Sequence, residues 1–401
     1  MSLAMLLHFT QHLAYGYSSA HIISDESFLE GVTAASGQRR VLILSLCGLV
    51  TGLGWWLIYR YGKPLVSIAK AVNSEKPYMP IKTTILHDLL QIIAVGLGSP
   101  LGREVAPREL SATFACWFSS KMQLSTRESQ VLVACAAGAG LAAVYNVPLG
   151  GAMFTLETLL CTLHWSAVLP ALATATIATV VSWIGLGSES QYYSPNFSIS
   201  YSLVIWSILA GPIFGFTAFW FRKITTSARN TAPRNWQLLI LCPLNFALIG
   251  ILAVYFPALL GNGKGSIQLG FTDILGVELA AALLILRIFI VWSSLRAGTE
   301  GGLLTPSLAN GVLLAVVLGG LWSLAFPGTH PGAFAIVGAA AFLAASQKMP
   351  LTAIVLTAEF TSINFNFLIP ILFAISGSMI MFNICTKEIT FTSIQQKAPV
   401  H

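Results

Sequence analysis

AAGAGLAAVYNVPLGGAMFTLE, residues 136–157, returns in altered form as GAAAFLAASQKMPLTAIVLTAE at residues 338–359. With the chain shifted by 202, nine of the 22 positions agree without a gap, among them Leu141, Ala142, Ala143, Pro148, Leu149, Thr155 and Glu157. Upstream of each copy lies a Gly-rich loop ending in proline, GREVAP at 102–107 and GGLLTP at 301–306. The steps from loop proline to PL dipeptide, 41 and 44 residues, nearly match. Gly/Pro-interrupted segments at corresponding positions of paired apolar repeats point to a transporter whose binding site is built from broken helices.

Of the 401 residues, 55% are hydrophobic and 9% charged, which fits no ordinary soluble domain. Stretches such as 41–59, 166–184, 201–221 and 236–256 are nearly free of charge. About ten to thirteen apolar segments follow. The chain reads as an all-α polytopic membrane protein, embedded in a lipid bilayer as a single membrane domain over 1–401, with one inverted repeat over 1–220 and the other over 221–401. The loop FRKITTSARNTAPRNW at 221–236 holds four basic residues and no acid, whereas GLGSESQYYSPNFSIS at 185–200 holds one acid and no base. One apolar segment separates them, so they are expected on opposite faces, the basic loop on the cytoplasmic one.

The opening MSLAMLLHFTQHLAYGY is too short an apolar run for a signal peptide and lacks a basic start and a cleavage site; it reads as a span whose first half is missing. The six cysteines are scattered through or beside apolar stretches, without a CxxC, and are expected to be small buried hydrophobes. The formal charge of +6 is spread over loops and is no nucleic-acid signal. There is no HExxH or GxSxG, and GNGKGS lacks the upstream glycine of a phosphate loop, so no enzyme, cofactor or metal site is expected.

Each Gly-rich loop is suited to opening a helix, because glycine permits close backbone approach and proline is tolerated in the first turn. A third loop, in YGKPLVSIAKAV at 61–72, has the same form and is expected to open a helix over 62–66. Helix starts leave several N–H groups unpaired and carry about half a positive charge. Three of them converging would make an anion site.

These residues resemble the CLC chloride channels and chloride/proton exchangers. The resemblance runs from about Tyr61 to the C-terminus and is carried by GRE at 102–104, GLAAVYNVPLGGAMFTLE at 140–157, LLGNGKG at 259–265, GGLLTP at 301–306 and LAASQKMPLTAIVLTAEFT at 343–361. It implies two inverted-topology halves, a homodimer with a pore in each subunit, a multi-pass place in the bacterial inner membrane, and chloride or a similar small anion as partner. It further implies that Glu104 is the gating glutamate, whose carboxylate occupies an anion position when the pore is shut and accepts a proton when displaced. Physically, a carboxylate at a helix N-terminus mimics a halide, and protonation removes the competitor.

By the same resemblance Leu303 and Leu304 offer backbone amides, Gly62 and Lys63 stand at the inner coordination loop, Arg103 is an orienting or entrance charge, and Phe391 replaces the tyrosine that closes the inner vestibule. Lys63 stands where the family has a serine. It either holds the anion or acts as an entry attractor from the interface. Thr158 stands where exchangers commonly carry an inner proton-transfer glutamate, which makes it the inner proton-path position and weakens the case for coupling. Glu157 and Glu359 are expected to cap or brace helix ends. Arg287 is expected to be a structural arginine paired to carbonyls or a glutamate, and His87 and His164 to be interfacial. The resulting expectation is a passive anion channel gated by Glu104, slightly ahead of a chloride/proton antiporter, with an organic-anion carrier of another family further off.

Overall fold

The computed structural model describes residues 2–16 and 27–395, with side chains described as far as Lys387. The chain opens with α1 (Ser2–Tyr15) and α2 (Phe28–Ala34), followed by α3 (Gly37–Tyr61), α4 (Ile68–Val72), α5 (Ile81–Gly96), α6 (Val105–Lys121), α7 (Thr126–Tyr145) and α8 (Pro148–Phe154). After a π-helical turn at Thr155–Leu159 come α9 (Trp165–Leu186), α10 (Tyr201–Asn230), α11 (Leu238–Tyr255), α12 (Lys264–Phe271), α13 (Val277–Ala297) and α14 (Leu304–Ala325). The last elements are α15 (Pro331–Gln347), α16 (Pro350–Thr361) and α17 (Leu368–Gln395). Among the described residues there is no strand, only one isolated bridge.

Among the described residues eight helices are long and apolar enough to cross a bilayer, fewer than the apolar segments in the sequence. The difference lies in short helices. α16 has 12 residues, which at the helical rise extend about 18 Å, well short of a hydrocarbon core of about 30 Å. Such helices begin inside the protein, and their first-turn N–H groups need partners there.

Small residues let the long helices approach. Gly48 and Gly52, one turn apart on α3, face the backbone of α11: a Cβ on Gly48 would lie 2.6 Å from Pro243 Cα, and one on Gly52 2.7 Å from the Leu238 carbonyl. Without a hydrophobic drive between helices in lipid, this van der Waals contact is what association relies on. Arg287 is fully buried on α13 and donates to the Leu259 carbonyl at 3.3 Å, the carbonyl-paired role expected of it. Four cysteines are buried, but Cys161 is exposed at a positive-φ turn and Cys385 is half-buried.

The two stretches related by the 202-residue offset share one local structure. α7 ends at Asn146 with φ 56° and α15 at Lys348 with φ 57°, both left-handed. Val147 and Met349 follow as N-caps, and Pro148 and Pro350 take the first position of α8 and α16. The caps cross over between the copies. Glu359 accepts from the Leu149 and Gly150 N–H groups at 2.9 and 2.7 Å. Glu157 accepts from the Leu351 and Thr352 N–H groups at 2.9 and 2.7 Å, and from the Thr352 hydroxyl at 2.6 Å. Each carboxylate thus satisfies the free N–H groups of the other copy's helix and opposes its dipole.

Truncating either carboxylate strands two amides. Glu157→Ala and Glu359→Ala should each destabilise the protein by about 1 to 2 kcal/mol. A lower midpoint of thermal unfolding in detergent is the expected readout, with the Gln variants in between; an unchanged midpoint in both Ala variants would contradict the capping role.

Candidate functional site

The two repeat-related loops meet backbone to backbone. Gly102 N–H donates to the Gly302 carbonyl at 2.8 Å, and Gly302 N–H donates back to the Gly102 carbonyl at 2.9 Å. α6 and α14 therefore start side by side, three residues beyond Gly102 and two beyond Gly302. With Gly302 N–H consumed by the bridge, the next groups along the loop are left for a ligand.

That ligand is Glu104. Its carboxylate is 1% exposed, and its Oε1 accepts from the Leu304 N–H at 2.8 Å. Tyr145 donates its hydroxyl to Oε2 at 3.3 Å and lies 2.9 Å from Thr305 Oγ1. The carboxylate rests on the first residue of α14, where the helix offers N–H groups and positive potential. The two glycines leave the room for it: a Cβ on either Gly102 or Gly302 would collide with the Glu104 carboxyl.

The other expected residues divide. Arg103 turns away from its neighbour Glu104. Its guanidinium lies 5.2 Å from the centroid of the Tyr145 ring and donates to Gln191 at 3.3 Å. Leu303 is the N-cap of α14 and half-buried, one residue before the amide in use. Thr158 is exposed in the π-helical turn. Phe391 falls in the part of α17 whose side chains lie outside the described residues.

The inner coordination loop departs from expectation. No helix starts over 62–66; α4 opens at Ile68, with the Ser67 hydroxyl accepting from Lys70 N–H at 3.3 Å. Pro64 disfavours helical angles at Lys63. Gly62 N–H closes α3 on the Ile58 carbonyl at 2.8 Å, and Lys63 N–H donates to Thr83 Oγ1 at 3.1 Å, so neither amide is free for an anion.

Two cavities flank the seat. One of about 420 Å³ is lined by Lys63, Arg234, Glu109, Glu300 and His87. Arg234 belongs to the basic 221–236 loop, so this cavity opens on that face. His87 is 5% exposed, deeper than its expected interfacial place. The other cavity, about 260 Å³, is lined by Arg103, Lys264, Gln191 and Gln268. Gln191 belongs to the 185–200 loop, so the two cavities approach from opposite faces. Tyr145 and Gly302 were both within quoted motifs but carried no assignment: an aromatic in an apolar helix reads as packing, and the bridge partner of a loop glycine has no local signature.

Fold and site together define a membrane protein that moves anions, with an acidic side chain seated on a helix start. The chain matches the family model described as voltage gated chloride channel over residues 47–383, and it belongs to that family. It is 25% identical over 358 residues to the voltage-gated ClC-type chloride channel ClcB of Citrobacter koseri, covering 84% of this chain and 82% of the relative. It is 26% identical over 351 residues, at the same coverage, to the protein of that name from Escherichia coli. Among solved structures, a slow cyanobacterial Cl−/H+ antiporter shares the fold with a TM-score of 0.76 at 19% identity, covering 96% of this chain and 94% of the other. A CLC-type fluoride/proton antiporter does so at 0.69 and 20%, covering 94% of each chain.

Glu104→Ala should empty the seat while leaving the Leu304 amide and the loop backbone in place. With its internal competitor displaced, the protein should bind chloride more tightly by about fivefold to tenfold at neutral pH, on losing a charge-assisted hydrogen bond of about 1 to 1.5 kcal/mol. Titration calorimetry reads this directly, and weaker binding than in the wild type would speak against the seat.

Proposed function

We propose that the protein exchanges chloride, or a similar small monovalent anion, for protons, with Glu104 as the group that both closes the path and takes up the proton. The observation that carries this reading is the Glu104 carboxylate on the Leu304 amide at 2.8 Å. An anion entering from either cavity competes for that amide. Protonation cancels the carboxylate's charge and hands the amide to the incoming anion.

This moves the balance from the passive pathway to exchange. A carboxylate 1% exposed and hydrogen-bonded on both oxygens leaves its seat most readily as the neutral acid, so each opening is tied to a proton. The names of the two solved antiporters agree with that reading, although the curated relatives are named as channels. Arg103 and Lys264 draw anions into one cavity, and Lys63 and Arg234 into the other. On this reading Lys63 is an entrance charge, exposed on the cavity wall, and Leu303 and Leu304 form the backbone part of the site. Family membership supports a homodimer with one such path in each subunit.

In reconstituted vesicles under opposed chloride and proton gradients, the wild-type reversal potential should depart from the chloride equilibrium potential and shift with pH. Glu104→Gln should sit at the chloride value while still passing anion. A wild-type potential fixed at the chloride value would restore the passive reading. Lys63→Ser should lower flux by about threefold to tenfold at low salt and lose most of that effect at high salt; a salt-independent change in affinity would instead put the lysine on the anion.

A further inference from the structure

α5 carries an unusual stripe. Thr84, Asp88 and Gln91 lie at helical spacings of four and three, on one face, and each is 1% exposed. The Thr84 hydroxyl and both polar atoms of the Gln91 amide meet no protein donor or acceptor. Buried polar atoms in native proteins are almost always paired with protein or ordered water, so three such atoms on the face that also carries Asp88 point to a hydrated track.

The track touches acid at its lower end. Asp88 faces Glu109 of α6 within hydrogen-bonding range. Two carboxyls in contact are satisfied only if one is protonated and donates to the other. Glu109 is 17% exposed on its side chain, lines the 420 Å³ cavity beside Glu300, and stands 3.9 Å from His87 Nε2. His87 accepts on Nδ1 from Trp55 Nε1 at 3.3 Å. Glu109 is thus the member of the pair that water reaches, and Asp88 the sealed one.

The upper end points to the seat. α5 and α6 run antiparallel, and Ile92 and Val95 pack with Ala106 at the start of α6. Gln91 therefore lies between the level of Asp88 and that of Glu104. Glu104 and Glu109 are separated along the helix axis by about 7.5 Å. Between them on α6, Arg108 holds its guanidinium 4.1 Å from the Phe154 ring centroid, within electrostatic reach of both acids. One buried cation supports one negative charge at either end. Arg229 and Glu300 complete the charged groups facing Glu109.

We infer that Asp88 and Glu109 form the inner proton relay of this protein, in place of a glutamate at position 158, and that water along the Gln91 face links it to Glu104. This rests on the exchange reading above. In each transfer, the carboxyl O–H bond of the pair breaks, its proton passes through water, and an O–H bond forms on Glu104. The pair is reprotonated from the cavity, and Arg108 balances whichever carboxylate is ionised.

The test is proton and chloride movement in vesicles with the wild type, Asp88→Asn, Glu109→Gln and Thr158→Val, each checked as monodisperse before reconstitution. In Asp88→Asn and Glu109→Gln, protons moved per chloride should fall by about tenfold or more while anions still pass, which is the scale of a lost proton-transfer group. Thr158→Val should keep its coupling, and Glu109→Asp, which retains an acid on the cavity wall, should recover much of it. If the wild type moves no protons, the exchange reading fails and takes the relay with it. If the wild type couples and both neutral variants couple equally well, the relay alone is overturned. Should either neutral variant fail to fold, the other neutral variant and Gln91→Leu decide: fewer protons moved per chloride in either supports the relay, and unchanged coupling in both refutes it.

Discussion

The Leu304 amide is a donor that its own helix cannot satisfy. It opens α14, so no earlier turn of that helix supplies a carbonyl for it, and it lies deep in the protein beside a second helix start. Either an anion or a tethered carboxylate must fill the position. Much of the local architecture brings one of the two there: the Gly102–Gly302 bridge fixes where α6 and α14 begin, and the bare glycine surfaces leave space for a carboxyl group. Tyr145 and Thr305 close the remaining side with hydroxyls. An acid held by one backbone donor and one long hydroxyl contact is exchangeable by construction, because protonation removes the charge on which both contacts depend.

The same demand recurs at α8 and α16, whose openings are also internal. There the structure answers with permanent acids, each accepting from two adjacent N–H groups. Glu104 has one backbone donor, while Glu157 and Glu359 have two each. That difference in donor number separates an acid that moves from acids that brace. It also explains why glutamates in similar helix-start settings serve opposite purposes in one chain.

The repeat, the helical class and the helix starts near 102–107 and 301–306 were legible because they are local: small residues, a Gly-Pro loop and a PL step leave marks a few residues long, whereas the place of Glu104 came from the family resemblance. The capping role of Glu157 and Glu359 followed from their equivalence under the offset. The inner loop was misread because a Gly-then-Pro pattern fits both a helix start and an extended turn, and the Ser67 hydroxyl settled it four residues later. The Asp88–Glu109 pair was invisible since its members belong to different helices, and His87 looked interfacial because burial depends on what α3 and α6 place over it. Four charges within the seven residues 103–109 of GREVAPREL were the available hint, as so sparse a chain seldom clusters them.

The crossed caps bear on how the chain is made. Synthesis proceeds from the N-terminus, so α8 enters the bilayer with its first amides open and waits while some two hundred further residues are added before Glu359 emerges. Glu157 meanwhile is an unpaired acid with no helix yet to bind. The nascent first half thus keeps open amides and an open acid that only the second half can pair, so the junction of α8 and α16 can close only once both halves are made.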